Sequence, residues 1–250
     1  MRYMKKSWDH IHSHQVNLDL REELMKNEVG KKIIDILIEH EGRNKRIAFL
    51  PYKVEMWDSF KSVYTEAKRA RLNAKICPIQ YSTLQYGNKC VSQYDDWRDF
   101  RRSPNLIHTL DEFDPEIVIT HYPFDYQNSV TTIDNRYYSA ELKKQGRTLV
   151  YIPYHGATIL PAETRLPIMR NVDYIFAANS SNIEMFPKSA KTFVVGSTKK
   201  DLIHYTGYSN DVLIINSIAP FIRDKFRIQK YIKIIEENKG SNIIFRPHKY

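Results

Sequence analysis

Arg46-Ile47-Ala48-Phe49-Leu50-Pro51-Tyr52-Lys53 is the stretch that decides the fold. Ile47 to Leu50 form an unbroken apolar run. A strand with one solvated face alternates apolar and polar residues; a parallel strand buried on both faces has no need to. Pro51 and Tyr52 then punctuate the run. Working outward, the same unit recurs. Met56 to Arg71 places Trp57, Phe60, Val63, Tyr64 and Ala67 on one face of a helix. Ala74 to Ile79 reads as a second strand, with Pro78 near its end. Glu116 to Thr120 (EIVIT) ends in His121-Tyr122-Pro123, and Val130 to Gln145 contains a helix stopped by Gly146. Thr148 to Ile152 (TLVYI) ends in Pro153-Tyr154-His155-Gly156. Val172 to Ala177 (VDYIFA) and Thr192 to Val195 (TFVV) add two short strands. Strands alternating with helices predict a doubly wound, parallel α/β domain covered on both faces of its sheet.

Around this domain the chain changes character. Residues 1–45 are polar and charged, with Ile33, Ile34, Leu37 and Ile38 at helical spacing and Gly42 as a C-cap. They are expected as an N-terminal helical segment. Residues 81–104 are polar and aromatic and are expected as a long loop with little regular structure. Residues 46–198 make the Rossmann-like domain, and 199–210 a polar linker. Residues 211–250 begin a fresh β-α-β unit: Val212 to Ile215, a helix over Asp224 to Asn238, and Ile243 to Phe245. Arg246-Pro247-His248 is expected as the loop leaving that last strand. Two strands and one helix cannot cover both sheet faces, so the second unit reads as the opening of a domain cut short.

Composition narrows the function classes. The 250 residues carry 38 Lys and Arg against 29 Asp and Glu, a net charge of +9. That balance favours an anionic partner. The basic residues are spread along the chain and form no nucleic-acid module, so nucleic acid is not among the expected partners. No run approaches the roughly 20 apolar residues of a membrane-spanning helix, and the start has a positive charge but no apolar core of a signal peptide. The two cysteines, Cys77 and Cys90, have neither metal-site nor disulfide-scaffold spacing. The His10-Ile11-His12-Ser13-His14 tract would share one face only in a strand, and its surroundings read as helical or frayed, while Asp95-Asp96 has no evident third ligand; neither is expected to hold a metal. No cofactor is expected; P-loop, G-x-G-x-x-G and G-x-S-x-G patterns are all missing.

Ligands of an open parallel sheet bind outside the carboxyl ends of its strands. Three exits carry suggestive residues: Tyr52 and Lys53, then His121, then His155 and Gly156. His155 precedes a glycine that lets backbone approach a ligand, and its imidazole could accept a proton from a hydroxyl near neutral pH. The alternative is a half-buried histidine at a turn. Arg246 and His248 could grip a phosphate; the alternative is an exposed loop.

Four segments, in order, resemble the CDP-glycerol glycerophosphotransferases, the teichoic acid primases and polymerases of Gram-positive bacteria. They are FLPYKVEMWDSF (49–60), RTLVYIPYHG (147–156), VVGSTKKDLI (194–203) and IIFRPH (243–248). The resemblance implies a GT-B fold, two Rossmann-like domains facing across a cleft. It implies transfer of glycerol phosphate from CDP-glycerol to a hydroxyl of a lipid-linked glycerol phosphate acceptor, with release of CMP. It makes His155 the base and assigns His248 and Arg246 to the donor phosphates. Gly156, Tyr52, Lys53, His121 and Lys199 complete the candidate substrate-binding set. It also implies a cytoplasmic protein held peripherally on the anionic inner face of the membrane. Ala157-Thr158-Ile159 departs from the family's Thr-Pro-Leu-Lys run, and Thr198 stands where a proline is common. The family's later Asp-Tyr-Ser-Ser stretch has no counterpart before Tyr250, which again predicts an incomplete donor domain and a chain that is inactive alone. Two further readings stay open: a non-catalytic fragment or acceptor-binding module of the same lineage, and a GT-B transferase with another nucleotide-activated donor.

Overall fold

The computed structural model describes residues 27–85, 89–93, 105–128, 130–155, 159, 161–202, 212–217, 229, 232–234, 236–237 and 243–248. It divides into two compact units, 1–203 and 204–250. The first contains α1 (Glu28–Glu41), β1 (Arg46–Leu50), α2 (Lys61–Arg69), β2 (Asn73–Ile76), β3 (Tyr81–Gln85), β4 (Lys89–Gln93), β5 (Ile117–Thr120) and β6 (Thr131–Ile133). It continues with α3 (Ser139–Lys144), β7 (Thr148–Tyr151), β8 (Tyr174–Ala177) and β9 (Lys191–Val194). The second contains β10 (Val212–Ser217) and β11 (Ile243–His248), with helix between them at 229, 232–234 and 236–237.

Six strands make one sheet in the order β2-β1-β5-β7-β8-β9. Every pairing in it is parallel. The chain steps from β1 to β2 on one side and from β5 onward on the other. The exits of β1 and β5 therefore flank the topological switch point, where open sheets of this kind take their ligands. Alternate residues of the apolar runs enter two separate cores. Ile47 and Phe49 of β1, Ile117 and Ile119 of β5, and Val150 of β7 pack under Ile33, Ile34, Leu37, Phe60, Val63 and Ala67. Ala48, Leu50, Val118, Leu149 and Tyr151 face the opposite core, with Leu110, Ile133, Leu142, Ile168 and Met169. The unbroken runs of the sequence follow from this double burial.

Several expectations change. Residues 28–41 are an integral cover of the sheet: Ile33, Ile34 and Leu37 are almost fully buried. Residues 199–202, expected within a linker, form the end of a 3-10 turn (Thr198–Leu202) inside the first unit. Asp201 there accepts hydrogen bonds from the backbone N–H of Val29 (3.2 Å) and Gly30 (2.9 Å). This places a carboxylate on the unsatisfied amides at the N-terminus of α1, where the helix dipole favours negative charge.

The helix expected over 56–71 is shorter. A 3-10 turn runs over Val54–Ser59 and α2 starts only at Lys61. Within residues 81–104, expected as a long loop with little regular structure, β3 and β4 pair antiparallel, and β3 pairs with β6 to complete a three-stranded sheet. In the second unit, Arg246, Pro247 and His248 do not form an exit loop. They continue β11, in parallel register with β10: Ile215 opposite Arg246, Asn216 opposite Pro247 and Ser217 opposite His248. A proline forfeits one ladder donor but keeps an extended backbone.

Candidate functional site

The exits of β1, β5 and β7 converge through their rings. Tyr52 meets His121 edge-on at 5.5 Å, His121 lies 6.3 Å from Tyr154, and Tyr154 lies 5.4 Å from His155. Three strand ends spread over some hundred residues of sequence thus share one place.

His121 is its foundation. Its side chain is fully buried. The backbone N–H of Tyr52 donates to Nε2 at 3.3 Å. That puts the ring proton on Nδ1, which donates to Ser59 Oγ at 2.9 Å. The Ser59 hydroxyl passes its own proton to the carbonyl of Met56 at 2.8 Å. Phe60 stacks on the ring at 4.4 Å. These contacts anchor the tight turn over 54–59 and delay the start of α2. Burial pushes the His121 pKa down to about 3, and the nearby Lys199 ammonium adds to the effect. With both nitrogens engaged and no exposed surface, His121 positions the β1 and β5 exits. Expected as a substrate contact, it is buried in the fold with both ring nitrogens engaged.

Tyr52, Lys53 and Lys199 lie close to it. Tyr52 is nearly buried, in edge contact with Tyr81 and Tyr122. Lys53 is half-buried, its ammonium 5.6 Å from the Tyr52 ring centre and 5.0 Å from that of Tyr81. Lys199 is half-buried on the 3-10 turn that follows β9. Gly156 lies outside the described residues. Arg246 and His248 belong to the second unit, on β11.

His155 lies at the outer edge of this knot, its side chain partly exposed. Its Nε2 lies 3.2 Å from Oε1 of Glu163, at ion-pair distance though off the line of a hydrogen bond. Beneath the pair, Tyr151 is fully buried, and burial followed by the charge of Glu163 raises its phenol well above the ordinary range. The phenol therefore stays protonated, and its oxygen has no hydrogen-bond partner among the described residues. Tyr154 is raised in the same way, by burial and then by Glu163.

Asp125, at the end of the β5 exit, is also accounted for by structure. Its carboxylate accepts from Ser139 N–H (3.0 Å) and Ser139 Oγ (2.6 Å), at the first residue of α3. Cys77 is a buried free thiol, pushed up to about 12 by burial, so it is an inert thiol. Among the described residues, no three His, Cys, Asp or Glu side chains gather to hold a metal, and no helix is long and apolar enough to cross a membrane.

Residue types alone did not single out Glu163, Ser59 or Asp201. One signal was available for Glu163: it is the only acidic residue between Arg147 and Val172. Compared with known proteins, the chain matches no protein-family model and no curated protein.

Proposed function

We propose that the first unit is the acceptor-side domain of a GT-B glycerophosphotransferase that uses CDP-glycerol. The observation that carries this reading is the convergence of the β1, β5 and β7 exits, with His155 at the surface of the cluster beside a carboxylate. The sequence resemblance supplies the substrate class. His155 takes the proton of the acceptor hydroxyl as its oxygen forms a bond to the glycerol-bearing phosphorus. The bond from that phosphorus to the CMP oxygen breaks, and CMP leaves with the electron pair. Such a transfer needs alignment and charge neutralisation more than covalent help. Lys53 and Lys199 bring positive charge to the domain's share of the site; Arg246 and His248 are assigned to the donor phosphates.

The test is acceptor-dependent CMP release from CDP-glycerol by the full-length native protein. His155→Ala is expected to lower turnover by about 100-fold or more, the range of a lost general base. Turnover that is indifferent to His155→Ala, or that occurs only with another nucleotide-activated donor, overturns the reading.

The acceptor class of this reading and the charge of +9 support an anionic membrane surface as a partner. Basic residues near such a surface contribute about 1 kcal/mol each, within a screening length of about 10 Å at 0.1 M salt. Co-sedimentation with phosphatidylglycerol vesicles should therefore be strong at low salt and fall as salt rises. Salt-independent binding, or none, removes the membrane-surface part of the proposal.

A further inference from the structure

We infer that Glu163 is a positioning residue for His155, so that the two act as a carboxylate–imidazole pair in proton transfer. The inference rests on the reading of His155 as the base. Three observations carry it beyond that reading.

The first is distance: Glu163 Oε1 lies 3.2 Å from His155 Nε2. The second is burial. The two side chains are only 24% and 17% exposed, whereas ion pairs such as Lys31–Asp35 and Lys144–Glu141 have both partners well exposed. A carboxylate this far from water is costly unless a cation or a polar hydrogen faces it. The third is what surrounds it. Burial and then the charge of Glu163 raise the phenols of both Tyr151 and Tyr154, so the carboxylate acts on both rings beside His155. His155 meets that charge at ion-pair distance.

The geometry fixes the division of labour. A carboxylate at the Nε2 edge favours the tautomer with its proton on Nε2, which leaves the basic lone pair on Nδ1. As Nδ1 accepts the acceptor's proton, the ring becomes an imidazolium facing an anion already in place. In the Ser-His-Asp arrangement the buried carboxylate likewise stabilises the cation without itself taking the proton; there it also accepts a hydrogen bond from the ring, whereas Glu163 acts on His155 through its charge at ion-pair distance. Local structure supports the placement. Glu163 opens the 3-10 turn Glu163–Arg165, whose end is pinned by the Leu166 N–H donating to the Glu163 carbonyl at 3.1 Å. The following turn, Pro167–Arg170, buries Ile168 and Met169 in the sheet core. The carboxylate is thus carried on backbone tied to the core.

The experiment is steady-state CMP release from CDP-glycerol, with a lipid-linked glycerol phosphate acceptor, in the full-length native protein. Glu163→Gln keeps shape and removes charge. It should lower kcat by about 10- to 100-fold, short of the roughly 10⁴-fold cost of losing the hydrogen-bonded triad carboxylate, while the acceptor KM stays within about twofold. Glu163→Asp should restore part of the loss. The double variant His155→Ala, Glu163→Gln should be no slower than His155→Ala alone, because residues that act as a unit are not additive. Thermal midpoints of all variants establish that they fold; if Glu163→Gln does not, Glu163→Asp decides, alone and combined with His155→Ala. Wild-type kcat in Glu163→Gln with an inactive His155→Ala overturns the pairing and leaves the base. So do losses that multiply in the double variant, or a change confined to KM. A His155→Ala protein with wild-type turnover overturns the parent reading instead.

Discussion

Gly30→Ala should destabilise the first unit by about 3 kcal/mol, although alanine within a helix is ordinarily about 1 kcal/mol better than glycine. Gly30 lies in the first turn of α1 and is itself buried. A Cβ at this position would stand 2.6 Å from both the carbonyl carbon and the carbonyl oxygen of Ser62, and 2.9 Å from the amide nitrogen of Val63. All three are backbone atoms of α2, so no side chain can rotate away. Relief requires the two helices to part. Parting them opens the core where Ile33 and Ile34 meet Val63 and Phe60, and it drags the Val29 and Gly30 amides off the Asp201 carboxylate. In a unit of this size the loss corresponds to a fall in thermal midpoint of roughly 6–12 °C. Thermal unfolding of Gly30→Ala beside Lys31→Ala, which changes a solvent-facing position of the same turn, measures it. A Gly30→Ala protein as stable as wild type would mean that α1 and α2 are not held at this distance.

The close approach at Gly30 was not legible in the sequence, whereas the sheet beside it was. Ile47 to Leu50, Ile117 to Thr120 and Thr148 to Tyr151 could be read because a doubly covered parallel strand leaves continuous apolar runs, and the runs need no knowledge of their neighbours. The antiparallel strands were missed for the converse reason. Tyr81-Ser82-Thr83 and Thr131-Thr132 are hydroxyl-bearing residues, and they resemble loop until their pairing is known. The β11 extension through Arg246 and Pro247 was hidden by two residues that usually mark an exit.

Of the candidate site, the convergence of strand ends was legible from topology and the exchange of roles was not. His121 and His155 look alike in sequence, each just beyond a buried strand. What separates them is distant. Ser59, 62 residues before His121, and the amide of Tyr52, 69 residues before it, close both of its nitrogens. His155 instead meets Glu163 across a chain turn. The motif around Pro51 to Ser59 accordingly has a structural reading: it wraps a neutral histidine and so fixes the floor on which His155 stands.

That neutral histidine gives the protein an acid sensitivity that His121→Gln should remove. His121 has a folded-state pKa of about 3 against an ordinary value near 6.5. Above pH 6.5 neither state protonates the ring and it contributes no pH dependence. Between about 6.5 and 3 the unfolded chain binds a proton that the folded chain refuses, so stability falls with pH by up to about 1.4 kcal/mol per unit. Over the whole interval the loss is on the order of 4 kcal/mol, a large fraction of the stability of a typical domain. Protonation also breaks the packing directly, because an imidazolium cannot accept the Tyr52 N–H and has the Lys199 ammonium for a neighbour. Glutamine can accept from Tyr52 and donate towards Ser59 but cannot titrate. Denaturant unfolding of wild type and His121→Gln at pH 7, 6, 5 and 4 isolates the effect, because the carboxylates common to both proteins cancel. The variant should be less stable at pH 7, having lost the stacking on Phe60, and the gap should narrow or invert by pH 4. Parallel stability curves would mean that His121 takes up its proton in the fold, and that the turn over 54–59 is not built around a neutral ring.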